Sequence, residues 1–190
     1  MFPKYMLKVD MDVFVNYRNL LQLLNTDAEE MKHEHLLVGN CLCCGGKTNL
    51  HCRWQTPTEI ERNSTTQRSK WQIPSYLYNQ SNYPVYLQGP AYLMSRKSAD
   101  WIFKISKQLP YFPMEDIFIT GFAAQKCDIR TLHNPKISEK YEEKLHCTKH
   151  ITYHADCGAI KESANYKEKI KKICYNTIRS FTYKCTSELW

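Results

Sequence analysis

No uninterrupted apolar run in these 190 residues approaches the roughly 18–20 needed to span a bilayer. The opening residues, "MFPKYMLKVD", have neither the apolar core nor the small-residue cleavage site of a secretory leader. Taken alone, those absences describe a soluble cytosolic chain. Internal repeats and low-complexity tracts are missing too, so nothing marks a repeat array or a disordered linker. The cysteines do not form the twin C-x2-C pairs of a structural zinc site, although Cys41, Cys43, Cys44, His51 and Cys52 crowd one stretch. No recognised nucleic-acid motif accompanies the net charge of +7, and no nucleic-acid partner is expected.

What the sequence does contain contradicts a cytosolic reading. Nine cysteines are a heavy load and point to disulfides in an oxidising compartment, with at least one thiol left over because the number is odd. Two glycosylation sequons begin at Asn63 and Asn79, both in polar segments. Together these features indicate the secretory pathway. A hydrophobic share of 43% and an aromatic share of 13% suit one globular domain with a real core.

The pattern of residues predicts alternating strands and helices, hence an α/β fold. Strands are expected at Tyr5–Val9, His35–Asn40, over "SKWQIP" up to Pro74, and in "IRTLH" and "HITYH". Asn16 should cap a helix whose leucines at 20, 21, 23 and 24 form an apolar face. Residues 41–68 read as a long loop. The segment Tyr83–Ser95 is expected to be broken at Gly89-Pro90, with Ser95 capping a helix to about Gln108. Another helix should open at Glu115-Asp116, and a basic amphipathic one should span Ala159–Ile178.

The residues that bear chemistry begin with Asp10-Met11-Asp12, where an apolar strand ends in two acids. Carboxylates at a turn beyond a strand's end can converge on a divalent cation such as magnesium or manganese, which takes hard oxygen ligands. Solvated acids at a turn are the plainer alternative. Glu115-Asp116, at a predicted helix start, can present a carboxylate to a cleft as a general base or merely suit the helix dipole.

Four segments, read in order, carry a resemblance. "KVDMDVFVN" resembles the K-x-D-D-D-x-F-V-N stretch of the β1,3-glycosyltransferases, the galactosyl- and N-acetylglucosaminyltransferases of glycosyltransferase family 31. "RSKWQIP", "YPVYLQGPAYLMS" and "MEDIFITG" resemble that family's following motifs, at similar spacing, so that the likeness covers most of Lys4 to Cys127. The resemblance implies a GT-A-type, Rossmann-like fold, a UDP-sugar donor, a glycan acceptor, and transfer with inversion to a β1,3 bond. It implies Mn2+ or Mg2+ held by Asp12, with Asp10 beside it, and by a histidine downstream. Among His133, His146, His150 and His154, the segment "HCTKHITYHADCG" favours His154. Asp116 would be the base, Glu115 a support or acceptor contact, and Lys70, Trp71 and Gly89 would line the cleft. Trp71 can equally be core, and Tyr83, Tyr86 and Tyr92 read as structural.

The chain departs from the family pattern at Met11, which stands where the family has the middle acid. The family motif also lies mid-domain, behind a membrane anchor, a stem and the strands that cradle uridine. Residues 1–190 are therefore expected to be the metal and acceptor half of a catalytic domain, with Tyr5–Val9 a central strand lacking neighbours and exposing an edge. The complete form would sit on the lumenal side of the Golgi membrane, attached only through an anchor that this chain does not contain. The rival expectation is a catalytically inactive product that binds a glycan or a partner.

Overall fold

The computed structural model describes residues 3–26, 29–32, 34–41, 73–74, 76–80, 83–137 and 150–154. Lys70, Trp71, Asn63, the body of the cysteine-rich stretch and the helix expected over Ala159–Ile178 lie outside the described residues.

Four strands form one mixed sheet in the order β1-β4-β3-β5: β1 Tyr5–Val9, β3 Leu36–Cys41, β4 Leu87–Ser95 and β5 Arg130–His133. β4 pairs antiparallel with both β1 and β3, and β3 runs parallel to β5. A second, two-stranded sheet joins β2 (Val13–Val15) to β6 (Thr152–His154). Strands and helices are mixed, as the sequence pattern predicts, although not in strict alternation, since β2 follows β1 with no helix between them.

The register explains the apolar pattern. Side chains alternate between the two faces of a strand. Ala91 and Leu93 of β4 pack with Leu36 and Val38 of β3 in one cluster, which Val13, Leu20 and Ile151 join. Tyr92 and Met94 pack with Leu37 and Cys41 in a second cluster, against Ile102, Phe112, Ile117 and Ala124. Both faces of β3 are thus covered, which is why its sequence is almost continuously apolar. β1 lies at the edge of this sheet among the described residues, and Met6 and Val9 on it are exposed.

Local signals account for the helices. The Asn16 side chain accepts from the Asn19 N–H at 3.3 Å and opens α1, Tyr17–Leu24. Only Leu20 of its leucines is buried, and Leu21 faces solvent. Asn19 Nδ2 donates to the His150 carbonyl at 2.6 Å, and the Asn16 N–H to the Ile151 carbonyl at 2.8 Å. These bonds hold the segment leading into β6 against α1. Ser95 accepts from the Ser98 N–H at 3.2 Å and caps α2, Arg96–Ser106.

Two expectations need correction. The chain is not broken at Gly89-Pro90, because β4 runs through them. The disturbance is taken up as a bulge: Gly39 pairs with Tyr92 and Cys41 with Leu87, so two steps along β3 span five along β4. Proline, with no N–H to donate, is tolerated at such a place. The "SKWQIP" strand is also not seen where it is described, since Ile73 and Pro74 are irregular, although Ile73 is buried in the core.

Candidate active site

The ends of β1 and β4 and the start of the next helix meet at one place. β1 stops in a tight turn, closed by the Val13 N–H donating to the Asp10 carbonyl at 3.2 Å, with Met11 at its tip and 98% exposed. The Asp10 N–H donates to the Pro90 carbonyl at 2.9 Å, so the bulge of β4 fixes the first of the two acids. Asp12 follows in the same turn.

The helix beginning at Glu115 does not continue as an ordinary α-helix. It widens into a π-helical segment, Ile117–Ala123, before a last α-helical turn, α3, Ala124–Lys126. The wide turn is held by Thr120, whose buried hydroxyl donates to the Asp116 carbonyl at 2.6 Å and accepts from the Leu87 N–H at 2.8 Å. Gly121 lets this segment lie against Pro84, because a Cβ there would come within 2.9 Å of Pro84 Cγ. Such widened turns recur at functional sites.

The result is a set of acids around one cation. Lys8 Nζ lies 2.6 Å from Asp10 Oδ1 and 3.5 Å from Glu115 Oε2, and it also donates to the Gly89 carbonyl. Tyr92 is 1% exposed; its hydroxyl donates to Glu115 Oε1, and Lys8 sits over its ring, 5.6 Å from the centroid. Burial, then the hydrogen bond to Glu115, pushes the Tyr92 pKa well above the usual tyrosine range.

Asp116 is held differently. Its Oδ1 accepts from its neighbour's N–H, that of Ile117, at 2.9 Å, and among the described residues it makes no ion pair. Burial raises its carboxyl pKa, against the lowering effect of that N–H, and Lys8 offsets only part of the rise. The open face of Gly89 receives it: a Cβ at residue 89 would lie 3.3 Å from Asp116 Oδ2. Gly89, expected to line the cleft, thus stands against the Asp116 carboxylate. The nearby Tyr83 hydroxyl is buried with no hydrogen-bond partner among the described residues, and burial, with the Tyr78 and Asp116 charges, pushes its pKa to about 12.

The expected metal ligands are partly brought together. Antiparallel pairing of β2 with β6 sets His154 opposite Val13, one residue from Asp12. Nothing in the local sequence announces that juxtaposition. Of the other histidines, His133 Nδ1 accepts from the Cys41 N–H at 3.1 Å, and His150 is buried beside α1. Among the described residues, which do not include the His154 side chain, no three His, Cys, Asp or Glu side chains already form a ligand group. Two carboxylates on one turn with a histidine strand-end alongside are a donor set that fits a hard divalent cation. Asn79 is exposed, with its Oδ1 accepting from Gln80 Nε2 at 3.1 Å.

Sequence reading passed over two residues of this site. Lys8 and Tyr92 pair directly across β1 and β4, so their side chains share a face with Asp10 and reach the acids together. The period-two spacing of Lys8 and Asp10 was the available signal. Tyr92, expected to be only structural, is bonded to Glu115.

Among the described residues no helix is long and apolar enough to cross a membrane. Cys41 is disulfide-bonded, in keeping with the expected oxidising compartment. The chain is 28% identical over 131 residues to β-1,3-galactosyltransferase 1 of Homo sapiens and of Mus musculus, a match covering 69% of this chain and 34% of each relative. It is 32% identical over 115 residues to UDP-GlcNAc:betaGal β-1,3-N-acetylglucosaminyltransferase 7 of Rattus norvegicus, covering 60% of this chain and 24% of that protein. The match thus spans about a third or less of the length of these curated relatives. Residues 1–135, which include all four motifs and the acids around Lys8, match the galactosyltransferase family, and the chain belongs to that family.

Proposed function

We propose that this chain carries the metal- and acceptor-binding side of a hexosyltransferase with a GT-A-type fold, acting in the Golgi lumen on protein or lipid glycans. It moves galactose or N-acetylglucosamine from a UDP-sugar to a glycan hydroxyl, giving a β1,3 bond with inversion. The names of the relatives support both donors, and one of them supports a β-galactoside acceptor. The disulfide at Cys41 suits an oxidising lumen.

The observation that carries this reading is Asp116: a half-buried carboxylate with a raised pKa, placed against Gly89 and near the charges of Glu115 and Lys8. A base near a reacting hydroxyl works best when its pKa is moved toward the working pH, and desolvation does that. Asp116 takes the proton of the acceptor hydroxyl. The acceptor oxygen forms its bond to the anomeric carbon from the face opposite the leaving group, and UDP departs with the electron pair of the broken bond. Inversion requires base and leaving group on opposite sides of the sugar, which is why the acids come from two separate segments. Asp10, Asp12 and His154 would hold Mn2+ or Mg2+, which when bound would supply Lewis acidity toward the diphosphate. Glu115 meets the acceptor.

The test is donor binding and transfer by the full-length protein. UDP should bind only with manganese or magnesium present, and Asp12→Ala should weaken UDP binding and transfer together. Metal-independent UDP binding, or an Asp12→Ala variant with unaltered affinity, would overturn the assignment.

A further inference from the structure

Two adjacent acids open the π-helical segment, and they are held unequally. Glu115 is gripped through both oxygens, by the Tyr92 hydroxyl on Oε1 and by Lys8 at 3.5 Å from Oε2. Among the described residues Asp116 accepts from backbone N–H groups alone, that of Ile117 on Oδ1, and its Oδ2 faces the bare backbone of Gly89. The grip is built on the sheet rather than on loops: Lys8 and Tyr92 are opposite one another in the β1–β4 register, and Tyr92 has no room to move at 1% exposure. Groups mounted on strands and locked by packing set geometry more closely than groups on loops.

Adjacent carboxylates with equal freedom would compete for one proton, since like charges raise each other's proton affinity. We propose that Tyr92 is a positioning residue for the transfer reaction, a role that rests on the function proposed above: its hydroxyl, with the Lys8 ammonium, pins Glu115 in one rotamer as the acceptor contact and leaves Asp116 to take the proton. Tyr92 itself touches neither sugar nor nucleotide in this scheme. Lys8 serves twice, because it also binds Asp10 and so ties the β1 turn to the helix that carries the base.

The experiment is a double-mutant cycle in the full-length protein with Tyr92→Phe, which keeps the ring and removes only the hydroxyl, and Glu115→Ala. Tyr92→Phe should raise the acceptor KM about tenfold, the effect of one lost charge-assisted hydrogen bond, and change kcat far less. In the Glu115→Ala background it should change nothing further. An equal loss in both backgrounds, or a fall in kcat with KM unmoved, overturns the proposal.

A second readout needs no turnover. In protein labelled at tyrosine Cζ, the NMR resonance that Tyr92→Phe removes should move on Glu115→Ala and move less on Asp116→Asn; a resonance indifferent to Glu115→Ala refutes the tie. A wild-type protein that transfers neither galactose nor N-acetylglucosamine defeats the proposed function, and the NMR result then decides separately whether Tyr92 holds Glu115.

Discussion

Gly89→Ala separates the stability of this site from its chemistry. The new Cβ would lie 3.3 Å from Asp116 Oδ2, 3.5 Å from its Cγ and 3.6 Å from its Cβ. Among the described residues the only crowded neighbour is therefore one carboxylate, which must withdraw by a few tenths of an ångström. Gly89 does not have a positive φ, so alanine meets no backbone strain. Replacing glycine at a compatible position gains about 0.4–1 kcal/mol through the unfolded chain. Displacing a side chain from its rotamer costs about 0.5–1.5 kcal/mol. The two nearly cancel, and Tm should change by no more than about 4 °C. The rate responds more steeply, because a misplacement of about 1 Å can cost on the order of a hundredfold. A few tenths of that displacement corresponds to roughly a fivefold loss of transfer. The added methyl also desolvates Asp116 further, which moves the acid limb of the rate profile to higher pH. Thermal unfolding and initial rates across pH, both on the full-length protein, provide the assay. Wild-type rates with an unmoved acid limb would refute the reasoning, as would a Tm lowered by some 8 °C or more.

Four further predictions concern Asp116 and the helical segment that follows it. The acid limb of kcat/KM should lie above the ordinary carboxylate value of about 4, since burial raises Asp116, and Lys8→Met should push it higher by removing a charge that lowers it. Because folding raises this pKa, the carboxyl's stabilising contribution is full below about pH 4 and is lost as pH rises through the folded value. Asp116→Asn should consequently flatten the stability–pH curve over that window, read by urea unfolding at several pH values. Thr120→Val strands the buried Leu87 N–H that bonds its hydroxyl at 2.8 Å and should cost about 1–3 kcal/mol in urea unfolding. Gly121→Ala, with its Cβ 2.9 Å from Pro84 Cγ, should cost a similar 1–3 kcal/mol or so and lower the urea midpoint without changing the slope.

Much of the fold was legible where the signal is local. β1 falls on its expected residues, and Asn16 and Ser95 cap their helices because a short side chain that can accept from the N–H three residues on is written into the sequence at that point. Asp10 and Asp116 stood out as candidate acids for a similar reason: each stands at the end of an element. What was hidden depends on partners distant in sequence. The Gly89-Pro90 pair reads as a break, but β1 and β3 hold β4 on both sides and turn the break into a bulge. The π-helical widening follows from Thr120 bonding Leu87 and from Gly121 meeting Pro84, contacts more than thirty residues apart. Tyr92 looked like core and is core. Its hydroxyl alone makes it part of the site, and only the pairing of β1 with β4 brings Glu115, Lys8 and Tyr92 together. His154 reaches the neighbourhood of Asp12 through the pairing of β2 with β6, two strands of three residues each.

The central claim is that Asp116 is the base, and one variant addresses it directly. In the full-length protein with manganese, Asp116→Asn keeps the shape of the side chain and removes its ability to take a proton. Transfer from UDP-galactose or UDP-N-acetylglucosamine to a β-galactoside should fall by about 10²-fold or more, with UDP affinity nearly unchanged. Transfer at the wild-type rate by that variant would contradict the account.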